Sequence, residues 1–198
     1  MPSPTLGYDA PIGIYLPYGY DPDRAEPYKY VILGHGIAGF ESNWPSQGML
    51  GNITDNLIDQ GLVEPMIVIA TNNRDSDGVY FYSTVNADGS RITSIDGEPE
   101  SNAASSANPS YTKQISQAQP YFMDELIPWL ESHLNVSTDP KDRAFAGLSA
   151  GAMCTFNMYI SNPEDFGYFY CMSGANDNPT QYDLTRPELK TPSLTFGV

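Results

Sequence analysis

Positive charge is scarce in this chain: nine Lys and Arg stand against 24 Asp and Glu, for a formal net charge of −15 over 198 residues. Such a surface repels phosphate backbones and anionic lipid headgroups, which argues against nucleic acid or a membrane as partner. Cysteine is nearly absent. Cys154 and Cys171 are the two present, at a spacing that fits no metal or redox motif, and both are expected as buried free thiols. No apolar run is long enough to span a bilayer, and the first residues, MPSPTLGYDAP, have neither the basic segment nor the apolar core of a signal peptide. A protein whose leader had been removed would look the same. Histidine is equally scarce, with only His35 and His133, and no internal repeat or low-complexity tract occurs.

What is there alternates. The length suits one domain, 1–198, with a sizeable core. Short apolar runs at Ile12 to Leu16, Tyr30 to Leu33 and Met66 to Ala70 read as strands, the latter two apolar enough to be covered on both faces. Between them, Met49, Leu50, Ile53, Leu57 and Ile58 recur at helical spacing up to Gly61. Strand, helix and strand in turn predict an α/β fold with a mostly parallel, doubly wound sheet. Residues 72–110, rich in Ser, Asn, Asp and Gly, break that rhythm and are expected to form a long loop, a lid or wall over a site. Within it, Asp75-Ser76-Asp77-Gly78 lacks the glutamate of a calcium loop and reads as a solvated turn. Tyr121 to Leu134 predicts an amphipathic helix kinked at Pro128, with Trp129 in the core. Further strands are expected at Tyr168 to Met172 and from Ser193 onward, the last an open edge.

The chemistry concentrates at Gly147-Leu148-Ser149-Ala150-Gly151. This GxSxG follows a strand-like run, Asp142 to Ala146, and precedes a helix-like one, Ala152 to Asn162, which is the context of a nucleophile elbow. There the serine sits on a strained turn, and small neighbours let strand and helix approach. A serine nucleophile also needs donors for the oxyanion, a base and an acid behind the base. The turn Gly34-His35-Gly36-Ile37-Ala38-Gly39 stands after the second strand, so the backbone N–H groups of Ile37 and Ala150 are the candidate donors. The base is missing. In this architecture the order is Ser, then acid, then His, and both histidines precede Ser149. His35 is expected to hold the Gly-rich turn by a hydrogen bond, and Asp177 to cap a surface turn.

Taken together, IYLPYGYDP, YKYVILGHGIAGFESNW, VEPMIVIATNN, DELIPWLESHL, GLSAGA and EDFGYFYCMSGA resemble, in order, the esterase D-like α/β-hydrolases, especially the feruloyl and acetyl xylan esterase modules of carbohydrate esterase family one. The resemblance implies an α/β-hydrolase fold, no cofactor and no metal, an extracellular setting with the cytoplasm as alternative, and a small-molecule or polysaccharide ester as substrate. It implies hydrolysis of plant cell-wall esters through a Ser149 acyl-enzyme, and matches Ile37 and Ala150 to the oxyanion positions and Trp44 to an aromatic beside the site. The family's acid, base, last strand and last helix are then expected beyond Val198, leaving the 198-residue chain poorly active. A ligand-binding protein without catalysis and a thioesterase or acyltransferase remain the alternatives. Oligomeric state is not legible.

Overall fold

The computed structural model describes residues 1–72, 120–174 and 185–197. The expected loop over 72–110 from its second residue onward, the Asp75–Gly78 turn and Asp177 lie outside the described residues.

The chain opens with a two-stranded antiparallel hairpin, β1 (Pro2–Ser3) and β2 (Tyr8–Asp9). The strands β3 (Ile12–Tyr15), β4 (Lys29–Gly34), β5 (Met66–Thr71), β6 (Arg143–Leu148), β7 (Tyr168–Met172) and β8 (Ser193–Gly197) form one sheet in the order β3-β5-β4-β6-β7-β8. All neighbours are parallel except β3, which runs antiparallel to β5. The short helix α1 (Asn43–Ser46) and α2 (Leu50–Asp59) connect β4 to β5, α3 (Ile127–His133) precedes β6, and α4 (Ala150–Ser161) joins β6 to β7. The apolar runs behave as their composition requires. Ile32, Ile67 and Ile69 are fully buried, and Leu33 and Val68 on the opposite face are nearly so, as expected for central parallel strands covered on both sides. In β7 burial alternates: Phe169 and Cys171 pack inward, whereas Tyr168 and Tyr170 point outward. β8 is an outer strand among the described residues, and its Phe196 is exposed.

The main core is built on aromatic edges. Phe145 on β6 meets Phe122 at 4.8 Å and Phe166 at 5.6 Å, both edge to face. Cys154 and Cys171 are free and buried, and burial pushes the Cys171 thiol up to about 12, which leaves it inert.

Two expectations are corrected in the segment before β6. Residues Pro120–Leu126 form a π-helix, and the α-helical turn α3 begins only at Ile127, so Pro128 stands in the first turn of α3 instead of kinking a continuous α-helix. A proline offers no N–H to the carbonyl four residues earlier and crowds it, and a widened turn just ahead relieves both conflicts. Phe122, Leu126 and Leu130 are buried as their spacing requires. Trp129, however, is only half buried at the core margin, where it stacks on His133 at 4.2 Å.

Candidate functional site

Ser149 follows the last residue of β6 and precedes the first of α4, exposed at the carboxyl end of the parallel strands. Its φ of 54° and ψ of −112° lie where an L-residue is strained. Hydrogen bonds hold it there: its N–H donates to Met172 O at 2.9 Å, and its carbonyl accepts from Met153 N–H at 3.1 Å. The small residues around it are required by backbone contact. A Cβ on Gly147 would lie 2.3 Å from the carbonyl carbon and oxygen of Gly151, and one on Gly151 would lie 2.7 Å from the carbonyl oxygens of Gly34 and His35. Strand β6, helix α4 and the end of β4 therefore meet backbone to backbone.

That meeting brings the Gly-rich turn to the serine. A Cβ on Gly36 would stand 3.5 Å from Ser149 Cβ. The turn is closed by Gly39 N–H donating to Gly36 O at 3.1 Å, with Ala38 at a φ of 57°. Ala150 is the first residue of α4, so its N–H is one of the four that an α-helix leaves unpaired. Of the two expected donors, Ala150 directly follows the serine and Ile37 directly follows Gly36 in the turn. Trp44, on α1, is brought to the same place. Its indole N–H donates to Gly34 O at 3.1 Å, and it walls a cleft of about 250 Å³ with His35, Gly36, Gln47, Gly48 and Leu148. This is somewhat smaller than the roughly 300–1,000 Å³ usual for ligand sites. A larger cavity, about 660 Å³, is lined by Asp139, Lys141, Tyr168 and Ser193 at the opposite ends of the strands, remote from Ser149.

The histidines are not brought to the serine hydroxyl. His35 is buried, with Nδ1 2.7 Å from Gly36 O and Nε2 3.3 Å from Asn72 Oδ1, so its ring is engaged in holding the turn, as expected. His133 ends α3, three residues before Val136, which bridges to Tyr28 just ahead of β4. It therefore lies at the amino end of the sheet, about 20 Å, the length of a six-residue strand, from the end that carries Ser149. His133→Ala should leave labelling of Ser149 by a fluorophosphonate unchanged and shift the melting temperature by only a few degrees. A loss of labelling would place a base where the fold does not.

The polar partner that the sequence did not disclose is Asn72. It stands directly after β5, and its only sequence signal was a polar residue ending an apolar run.

The family model Esterase, described as "Putative esterase", matches residues 3–183. The chain belongs to the Esterase family. Among curated proteins, the endo-1,4-beta-xylanase/feruloyl esterase of Xylanibacter ruminicola is 30% identical over 182 residues, covering 90% of this chain and 21% of that protein. Endo-1,4-beta-xylanase Y of Acetivibrio thermocellus is 25% identical over 174 residues, covering 82% of this chain and 13% of its own length. Among solved structures, a ferulic acid esterase from Anaeromyces mucronatus in complex with ferulic acid superposes with a TM-score of 0.59 at 20% identity, over 87% of this chain and 55% of that one. An S-formylglutathione hydrolase from Staphylococcus aureus superposes with a TM-score of 0.56 at 16% identity, over 87% and 54%. The esterase-family chain thus has the α/β-hydrolase fold expected of its sequence, and spans about half of these solved relatives and about a fifth of the first curated one.

Proposed function

We propose that the chain carries the nucleophile half of a serine carboxylic-ester hydrolase acting on plant cell-wall polysaccharide esters of the feruloyl or acetyl xylan type. The observation that carries this reading is the strained, exposed Ser149 at the carboxyl end of β6, with the Gly36 turn against it. Ser149 Oγ attacks the ester carbonyl carbon as a base takes its proton, and the N–H groups of Ile37 and Ala150 donate to the oxygen that becomes negative. Collapse of the tetrahedral intermediate breaks the acyl C–O bond. The sugar alkoxide leaves with that proton, and water then hydrolyses the acyl-enzyme. The named activities of the xylanase/feruloyl esterase relative support the substrate class, and the Trp44 cleft supports an aromatic or small acyl group. Metal and cofactor have no role in these steps.

His35 is engaged in the turn and His133 lies at the far end of the sheet, so neither histidine stands as the base for Ser149. The chain alone should therefore turn over p-nitrophenyl acetate poorly, whereas a polypeptide containing it together with an acid and histidine that reach Ser149 should be active. In that longer form, Trp44→Ala should raise KM for methyl ferulate about tenfold, about 1.4 kcal/mol, and change KM for p-nitrophenyl acetate much less. Equal effects on both esters would remove Trp44 from the acyl site. The same histidine geometry favours a second reading, a hydrolase-fold protein that binds an ester without cleaving it. An unlabelled Ser149 in the folded longer form would decide for it, and a panel of ferulate, acetate and thioester substrates separates the acyl classes.

A further inference from the structure

We propose that Asn72 is a positioning residue for the turn beside Ser149, acting through the His35 ring. The proposal rests on the reading that this turn supplies an oxyanion donor.

His35 is 2% exposed and forms the template on which the turn is wound. Its Nδ1 meets Gly36 O at 2.7 Å, and a Cβ on Gly39 would come within 2.8 Å of the same nitrogen. Both ends of the segment Gly36 to Gly39 thus touch the ring, and the N–H of Ile37 lies between them. The Nδ1 contact is to the next residue along the chain. The far nitrogen ties the ring to a distant element, because Nε2 is 3.3 Å from Asn72 Oδ1, a residue 37 positions away at the end of β5.

Asn72 is itself held. It is 7% exposed, its side-chain amide lies 2.7 Å from Tyr8 Oη on β2, and its carbonyl accepts from Thr71 Oγ1 at 3.1 Å. Thr71 Oγ1 is in turn 3.0 Å from the hydroxyl of Tyr121 on the π-helix. Burial pushes the Tyr121 hydroxyl pKa well above its ordinary value, so it stays protonated and available for that contact. With the Asn72 amide turned over so that its NH₂ faces the ring, a neutral His35 with Nδ1–H donating to Gly36 O accepts at Nε2, and the Tyr8 hydroxyl donates to the amide oxygen. In a ring protonated on both nitrogens, Nε2–H donates to Oδ1 instead. The anchor is made in either case. The hairpin therefore holds the Asn72 side-chain amide directly, and the π-helix braces its backbone through Thr71.

The test compares the chain with its Asn72→Leu and Asn72→Asp variants by ¹H–¹⁵N correlation spectra, a readout independent of turnover. Leucine removes the anchor at similar volume, while aspartate accepts from Tyr8 and from a His35 ring protonated at Nε2, the form a carboxylate partner favours. Asn72→Leu should displace or broaden the backbone amide signals of Gly36, Ile37 and Gly39 and leave those of α2 in place, and Asn72→Asp should leave all of them near their original positions. Unmoved turn signals in the leucine variant, or equal displacement in both, would overturn the proposal. Should the leucine variant not fold, Tyr8→Phe reads the same signals with a smaller expected displacement, and no displacement again overturns it. In a form with ester turnover, Asn72→Leu should lower kcat about tenfold, part of the 10²–10³ that loss of a whole oxyanion donor costs, with KM within twofold. Displaced amides with no ester turnover even in a longer form that has an acid and histidine reaching Ser149 keep the positioning role and sink the esterase reading; turnover with undisplaced amides does the reverse.

Discussion

Gly147→Ala is expected to prevent the native fold from forming. The added methyl would stand 2.3 Å from the carbonyl carbon and oxygen of Gly151 and 2.8 Å from its Cα, all of them backbone. Carbon atoms rest about 3.5–4.0 Å apart, so α4 would have to lift off β6 by more than 1 Å. It cannot do so alone, since Gly151 is already seated on the carbonyls of Gly34 and His35 and α4 is buried along most of its length. Overpacking a core costs roughly 1–3 kcal/mol when side chains can yield and more when they cannot, against a total stability of about 5–15 kcal/mol. Gly61→Ala is the control. Gly61 ends α2 at a φ of +66° with nothing near its missing Cβ, so the cost there is conformational strain alone, about 1 kcal/mol. Thermal unfolding followed by circular dichroism checks both, and a Gly147→Ala protein that melts within a few degrees of the original would show that strand and helix do not meet as described.

Ser149→Ala should abolish covalent labelling by a fluorophosphonate and, in a polypeptide with a complete triad, lower kcat by about 10³-fold or more, as removal of a nucleophile does in serine hydrolases. The fold should survive, because Ser149 is exposed and its backbone N–H and C=O bonds do not involve the hydroxyl. Ser149→Gly should go further and raise stability by about 1 kcal/mol, since glycine adopts a φ of 54° without strain. A stabilised but unlabelled glycine variant would indicate that the strain serves the exposure of the hydroxyl. Residual labelling in the alanine variant would move the nucleophile elsewhere and end the reading of the elbow.

Much of the fold was legible because it rests on short-range patterns. Tyr30 to Leu33 and Met66 to Ala70 are apolar at every position, as strands buried on both faces are. The helix from Leu50 to Asp59 was announced by its spacing and by Gly61, which takes the left-handed conformation at its end. The π-helical turn before Pro128 was not legible, because a proline signals a local conflict without saying how the chain relieves it. Trp129 packs against the core as expected but only at its margin, half buried. Helical spacing puts it near the apolar face, but its partner there is the His133 ring at the margin.

The sequence by itself determined the elbow, the Gly-rich turn and their order along an α/β chain, since each depends on residue types within a few positions of one another. The tertiary structure alone decided what the polar residues near them do. His35 and Asn72 are 37 positions apart and meet only because β4 and β5 run side by side and end together, Gly34 opposite Thr71. Gly151 must be small because of the backbone at the end of β4, more than a hundred residues earlier, and Gly147 must be small because Gly151 is seated there against it. His133 was excluded from Ser149 in the same way, by the strand length that separates the two ends of the sheet. Contacts of this range are products of register and packing, which no local pattern of residues encodes.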